Sequence, residues 1–105
     1  MKPIEQDLLR SLSSSERRSG LQLALSIKEK RERRREEKTE VDEAHLHAIL
    51  EMFEEEGWIK TWPRTDVAPK QRAKRGDLEN FECLLTEKGV QVRRKETGQQ
   101  DDEPL

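Results

Sequence analysis

Leu46, Ile49, Leu50 and Phe53 fall at i, i+3, i+4 and i+7, and the run they anchor stops at Glu54-Glu55-Glu56-Gly57. That spacing predicts one apolar stripe on a helix. Gly57 ends it, because glycine tolerates the left-handed conformation of a helix stop. Trp58-Ile59-Lys60-Thr61-Trp62 then reads as a short strand. From Pro63 to Asn80 two prolines and one glycine exclude a continuous helix or strand. Phe81-Glu82-Cys83-Leu84-Leu85 reads as a second strand, with Phe81, Cys83 and Leu85 alternating toward one face. Thr86 is placed to cap a last short helix carrying Val90 and Val92. The order helix, stop, strand, basic loop, strand, capped turn sets a β-hairpin against helices, an α+β fold.

Two further helices precede this unit. Ile4, Leu8, Leu9 and Leu12 recur at helical spacing from about Pro3, a residue suited to a first helical turn. Ser13-Ser14-Ser15 reads as a polar break, with phosphorylation as the less favoured reading. Ser19 is a candidate N-cap for a second helix holding Leu21, Leu23, Ala24 and Ile27. Residues 28–38 then carry seven Lys or Arg against four Glu. Mixed charges at helical spacing can extend that helix into solvent through i,i+4 pairs, fraying near Arg35. Thr39 or Asp42 can cap the third helix.

With 105 residues, 30% hydrophobic and 42% charged, the chain suits one small domain with a limited core. We place that domain at residues 1–94. Residues 95–105 are polar and acidic, and are expected to be a disordered tail. Cys83 is the single cysteine, so no internal disulfide forms, which fits a reducing compartment. Its place in a strand facing the core suits an inert apolar group. No apolar run approaches a membrane span and the first residues lack a secretory core, so the expected location is cytoplasmic. No nucleophile–base pair, phosphate loop or metal-ligand spacing appears, and the expectation is a non-enzyme without cofactor. His45 and His47, two apart on a helix, diverge and cannot share a metal.

Glu54-Glu55-Glu56-Gly57-Trp58-Ile59, then a basic loop, then Leu85-Thr86-Glu87-Lys88-Gly89, resembles the winged-helix transcriptional regulators of the PadR and MarR types. Ser19-Gly20-Leu21-Gln22-Leu23-Ala24 adds a match to the start of the second helix in PadR-like proteins. The resemblance covers roughly residues 3–94. It implies a winged helix-turn-helix: three helices, a two-stranded β-wing and a short C-terminal helix. The third helix would be the recognition helix, and Lys60 to Gly76 the wing. Such regulators often dimerise through a long extra helix. Only a short segment follows Thr86 here, so a homodimer stays an open alternative.

By that resemblance the partner is double-stranded DNA. Lys60, Arg64, Lys70, Arg72, Lys74 and Arg75 are opposed only by Asp66 between residues 60 and 76. A cationic hairpin of this kind can follow a phosphate backbone or enter a minor groove. The alternative is a solvated loop kept charged for solubility. Arg33, Arg34, Arg35 and Lys38 form a second cluster that can clamp phosphate, unless Glu29, Glu32, Glu36 and Glu37 neutralise it locally. Base contact falls to Ala44, His45, His47 and Ala48 at the start of the third helix. Contrary evidence sits on the same helix. Residues 40–56 hold seven carboxylates and no Lys or Arg. A winged-helix module that binds a basic protein partner through this acidic helix, without DNA, is the rival expectation. Trp58 reads as core, while Trp62 is open between shielding the hairpin and stacking on a base.

Overall fold

In a computed structural model, residues 1–34, 42–63, 78 and 81–102 are described. Over them the chain is α+β, with four helices and a three-stranded antiparallel sheet. Helix α1 spans Pro3–Ser11 and buries Leu8 and Leu9. The Lys2 N–H donates to Glu5 Oε2 at 3.0 Å, holding the first turn. Leu12 leaves the helix in extended conformation, φ −74° and ψ 152°. Ser13 Oγ then accepts the N–H groups of Ser15 and Glu16 at 3.1 and 3.0 Å, turning the chain at the serine run.

The turn delivers strand β1, Arg18–Ser19, which the sequence reading did not anticipate. Two residues are too few to show a period of two, and one of them is arginine. Pairing with a neighbour makes the strand, not local propensity. Ser19 also caps helix α2, Gly20–Arg33, as expected. Its Oγ accepts from Gln22 N at 3.2 Å and Gln22 Oε1 accepts from Ser19 N at 2.8 Å, a reciprocal box.

Helix α3, Glu43–Glu55, buries Leu46, Ile49, Leu50 and Phe53, the stripe read from the spacing. Asp42 caps it, accepting from Ala44 N at 3.0 Å and His45 N at 3.2 Å. Gly57 sits at φ 77° and ends it. The Trp58 N–H returns to the Phe53 carbonyl at 2.9 Å. Strands β2, Ile59–Pro63, and β3, Phe81–Leu85, pair antiparallel with Ile59 opposite Leu85 and Thr61 opposite Cys83. β1 pairs the other edge of β3, Arg18 opposite Cys83, so the order is β1-β3-β2. The sheet therefore has three strands where two were expected.

Helix α4, Glu87–Thr97, starts at the Thr86 cap, whose Oγ1 accepts from Gly89 N at 3.1 Å. It is longer than the short helix expected, and takes in Lys95, Glu96 and Thr97 from the stretch assigned to a disordered tail. Two tertiary contacts account for the difference. Arg93, 1% exposed, donates to the Leu12 carbonyl at 3.0 Å. Beyond the Gly98 stop, Asp102 folds back onto the serine turn. The core lies where α1, α2 and α3 meet the inner face of the sheet, with Leu12, Leu23, Ile27, Phe53 and Cys83 at 0% exposure. Leu78 joins it at 1%. No helix among the described residues is long and apolar enough to cross a membrane.

Candidate nucleic-acid interface

Burying Leu46, Ile49, Leu50 and Phe53 fixes which residues α3 turns outward. Ala44, His45 and Ala48 are exposed together near its N-terminus. His47 is not part of that group. It is half-buried, and its ring meets Phe81 edge-on at 5.6 Å between centroids. Its Nδ1 lies 3.4 Å from Glu51 Oε1, one turn on. Of the four residues expected to read bases, three share a surface and the fourth faces β3.

The helix N-terminus is itself capped by a carboxylate. Asp42 occupies the two N–H groups that would otherwise be offered to a phosphate. Any approach of a duplex to this end is therefore led by side chains. Farther along, Glu51, Glu54 and Glu55 are exposed, as is Glu56 at the C-cap.

The described cations divide into bound and presented ones. Arg33 pairs with Glu29 one turn back on α2. Arg34 reaches α1, where its guanidinium lies 3.0 Å from Asp7 Oδ2. Arg10 lies 3.7 Å from the other oxygen of the same carboxylate. Asp7 is 3% exposed, so this pair ties α2 to α1 from a largely buried anchor. Arg33 thus has a local glutamate partner of the kind weighed as the alternative, while Arg34 pairs with Asp7 of α1, which that alternative did not include. Lys60 is exposed on β2, opposite in pleat to the buried Ile59. Arg17 places its guanidinium carbon 3.9 Å from the Trp62 ring centroid. That stack puts a positive charge over the outer face of the hairpin. Sequence reasoning missed Arg17, since the contact spans 45 residues and has no local signature. Trp58, expected in the core, is half-buried with its ring 5.1 Å from Phe53. Arg35, Lys38, Arg64, Lys70, Arg72, Lys74 and Arg75 lie outside the described residues.

Burial raises the Cys83 thiol to about 12, with Glu54 and Glu82 adding to the effect. A thiol so placed is neutral and poorly nucleophilic. Among the described residues no group of His, Cys, Asp and Glu is arranged to hold a metal ion. No family model, curated protein or solved structure matches the chain.

Proposed function

We propose that the chain is a small winged-helix DNA-binding protein, a transcriptional regulator that contacts duplex DNA through the N-terminal half of α3 and the cations of its hairpin. One observation carries this reading. The elements run α, β, α, α, β, β, α, and the short β1 completes a three-stranded sheet against which α3 lies with Ala44, His45 and Ala48 outward. The third strand is more than the two-stranded wing the resemblance implies, so the reading leans on the succession of α3 and the β2–β3 hairpin. Small alanines let a helix approach a groove closely, and one imidazole offers a hydrogen bond to a base edge. Lys60 and the stacked Arg17 supply charge on the hairpin side. Affinity then comes chiefly from phosphate contacts and specificity is modest.

A fluorescence anisotropy titration on mixed-sequence duplexes across a salt series tests this. The expected result is binding at low salt that weakens steeply as salt rises. Absence of binding to every duplex at low salt, with the protein folded by circular dichroism, overturns it.

The rival is a partner-binding module without DNA. It is favoured by the exposed run Glu51, Glu54, Glu55 and Glu56 and by the internal pairing of Arg33 and Arg34. Replacing Glu51 and Glu55 by lysine abolishes capture of a protein partner under this reading.

A further inference from the structure

Between α3 and the β2–β3 hairpin lies a groove of about 250 Å³, lined by His47, Leu50, Glu51, Glu54, Thr61 and Phe81. Its lining has two parts. Leu50, 2% exposed, and the Phe81 ring, braced by the edge-on His47, are apolar. Glu51 and Glu54, one turn apart on α3, bring two carboxylates to the same groove. The helix that carries them has no Lys or Arg between residues 42 and 56. Glu54 accepts the Thr61 hydroxyl, which fixes its carboxylate across the gap between helix and strand.

We infer that this groove docks a single arginine side chain of a basic protein partner. The aliphatic stem lies along Leu50 and Phe81, and the guanidinium faces Glu51 and Glu54. Three arguments select this occupant. Phosphate is excluded, because two carboxylates line the groove. A metal ion is excluded by the absence, among the described residues, of a group that could ligate one. A free drug-sized ligand is disfavoured by size, since pockets for such molecules run from about 300 to 1,000 Å³. One long side chain with an apolar stem and a planar cationic end fits what is left. Arginine suits it better than lysine, because its flat fork can accept two carboxylates at once and stack on an aromatic ring. The inference deepens the partner-binding rival. It is also compatible with DNA on Ala44, His45 and Ala48, which the groove does not include.

The probe is the peptide acetyl-Gly-Arg-Gly-amide, titrated to millimolar concentration and followed by ¹⁵N–¹H correlation spectra. Its neutral isostere with citrulline is the control. The expected result is saturable shifts confined to Leu50, Glu51, Glu54, Thr61, Phe81 and the His47 ring. Affinity falls at least tenfold for citrulline and for the double variant E51Q/E54Q. Both glutamates are exposed, so that variant keeps its fold, and its spectrum reports this directly. No groove shifts, equal shifts with citrulline, or the same shifts produced by a short duplex overturn the inference. If the peptide is ignored while E51K/E55K still abolishes capture of a protein partner, the groove fails and the wider reading survives. The peptide and the duplex are added to separate samples, so the outcome for the groove is read apart from that of the anisotropy experiment.

Discussion

Arg93 and Asp102 meet at 2.9 Å, and through them the last described turn of the chain is tied to the first loop. The same carboxylate accepts from Ser13 Oγ at 2.8 Å, Ser14 N at 3.0 Å and Ser15 Oγ at 3.2 Å. Burial pushes the Asp102 pKa up, but the hydrogen bonds from Ser13, Ser14, Arg93 and Ser15 outweigh it and bring the carboxyl down to about 2. Because the folded value is depressed, the contribution to stability is complete above the unfolded pKa near 3.8 and is lost as pH falls toward 2. A shift of this size would be roughly 2 kcal/mol unscreened, and solvent around this surface carboxylate reduces it. D102N is expected to lower the unfolding free energy at pH 7 by about 1–2 kcal/mol. It should also flatten the acid limb of stability between pH 4 and 2. Urea denaturation at a series of pH values measures both. An unchanged acid limb removes the latch.

Gly89, in the first turn of α4, has no room for a methyl group. A Cβ there would stand 2.1 Å from the Trp58 carbonyl and 2.6 Å from Leu85 Cδ1. The carbonyl is backbone, and Thr86 N also donates to it at 2.9 Å, so it cannot move aside without breaking that bond. G89A is therefore expected to destabilise by about 3 kcal/mol, at the upper end of overpacking costs. Thermal unfolding followed by circular dichroism measures it. A loss under about 1 kcal/mol would mean α4 packs less closely on the β2 end.

How far the sequence revealed this architecture depended on how local each determinant is. Leu46, Ile49, Leu50 and Phe53 announce α3 because a buried helix face repeats every three or four residues. Ser19, Asp42, Thr86 and Gly57 mark boundaries because capping is a matter of neighbours. Cys83 was placed inward by strand alternation alone. The partner of a charged side chain has no such period. Nothing near Arg34 in sequence points to Asp7, 27 residues away, nor does anything near Arg93 point to Asp102 or to the carbonyl of Leu12. The same holds for Arg17 on Trp62 and for β1, whose two residues are a strand only because β3 lies beside them. At the candidate site, helical geometry placed Ala44 and Ala48 together one turn apart. It did not say that Phe81 would draw His47 away.

Cys83 offers a chemical test of core integrity. With its pKa about 12 rather than 9.0, the thiolate fraction at pH 8 falls by roughly a thousandfold, before any effect of access. Iodoacetamide labelling of the native protein at pH 8 is expected to be at least a hundredfold slower than in denaturant. The native rate should follow the population of the unfolded state across mild urea. Rapid labelling without unfolding would show that β3 opens locally.

The exposed residues of the proposed DNA surface separate affinity from reading. Lys60 projects from β2 without burial, so K60Q leaves the core intact. If it meets a phosphate, the variant weakens binding on all duplexes alike and lowers the slope of log K against log salt by about 1. Ala48 acts differently, since it lies on the α3 face that would enter a groove. A48E adds a carboxylate there and is expected to reduce affinity at least tenfold, through repulsion and through a lost close approach. Anisotropy on the same duplex at several salt concentrations distinguishes the two variants. Parallel salt lines for wild type and K60Q would place Lys60 away from the backbone. Unchanged affinity in A48E would mean that α3 faces something other than DNA.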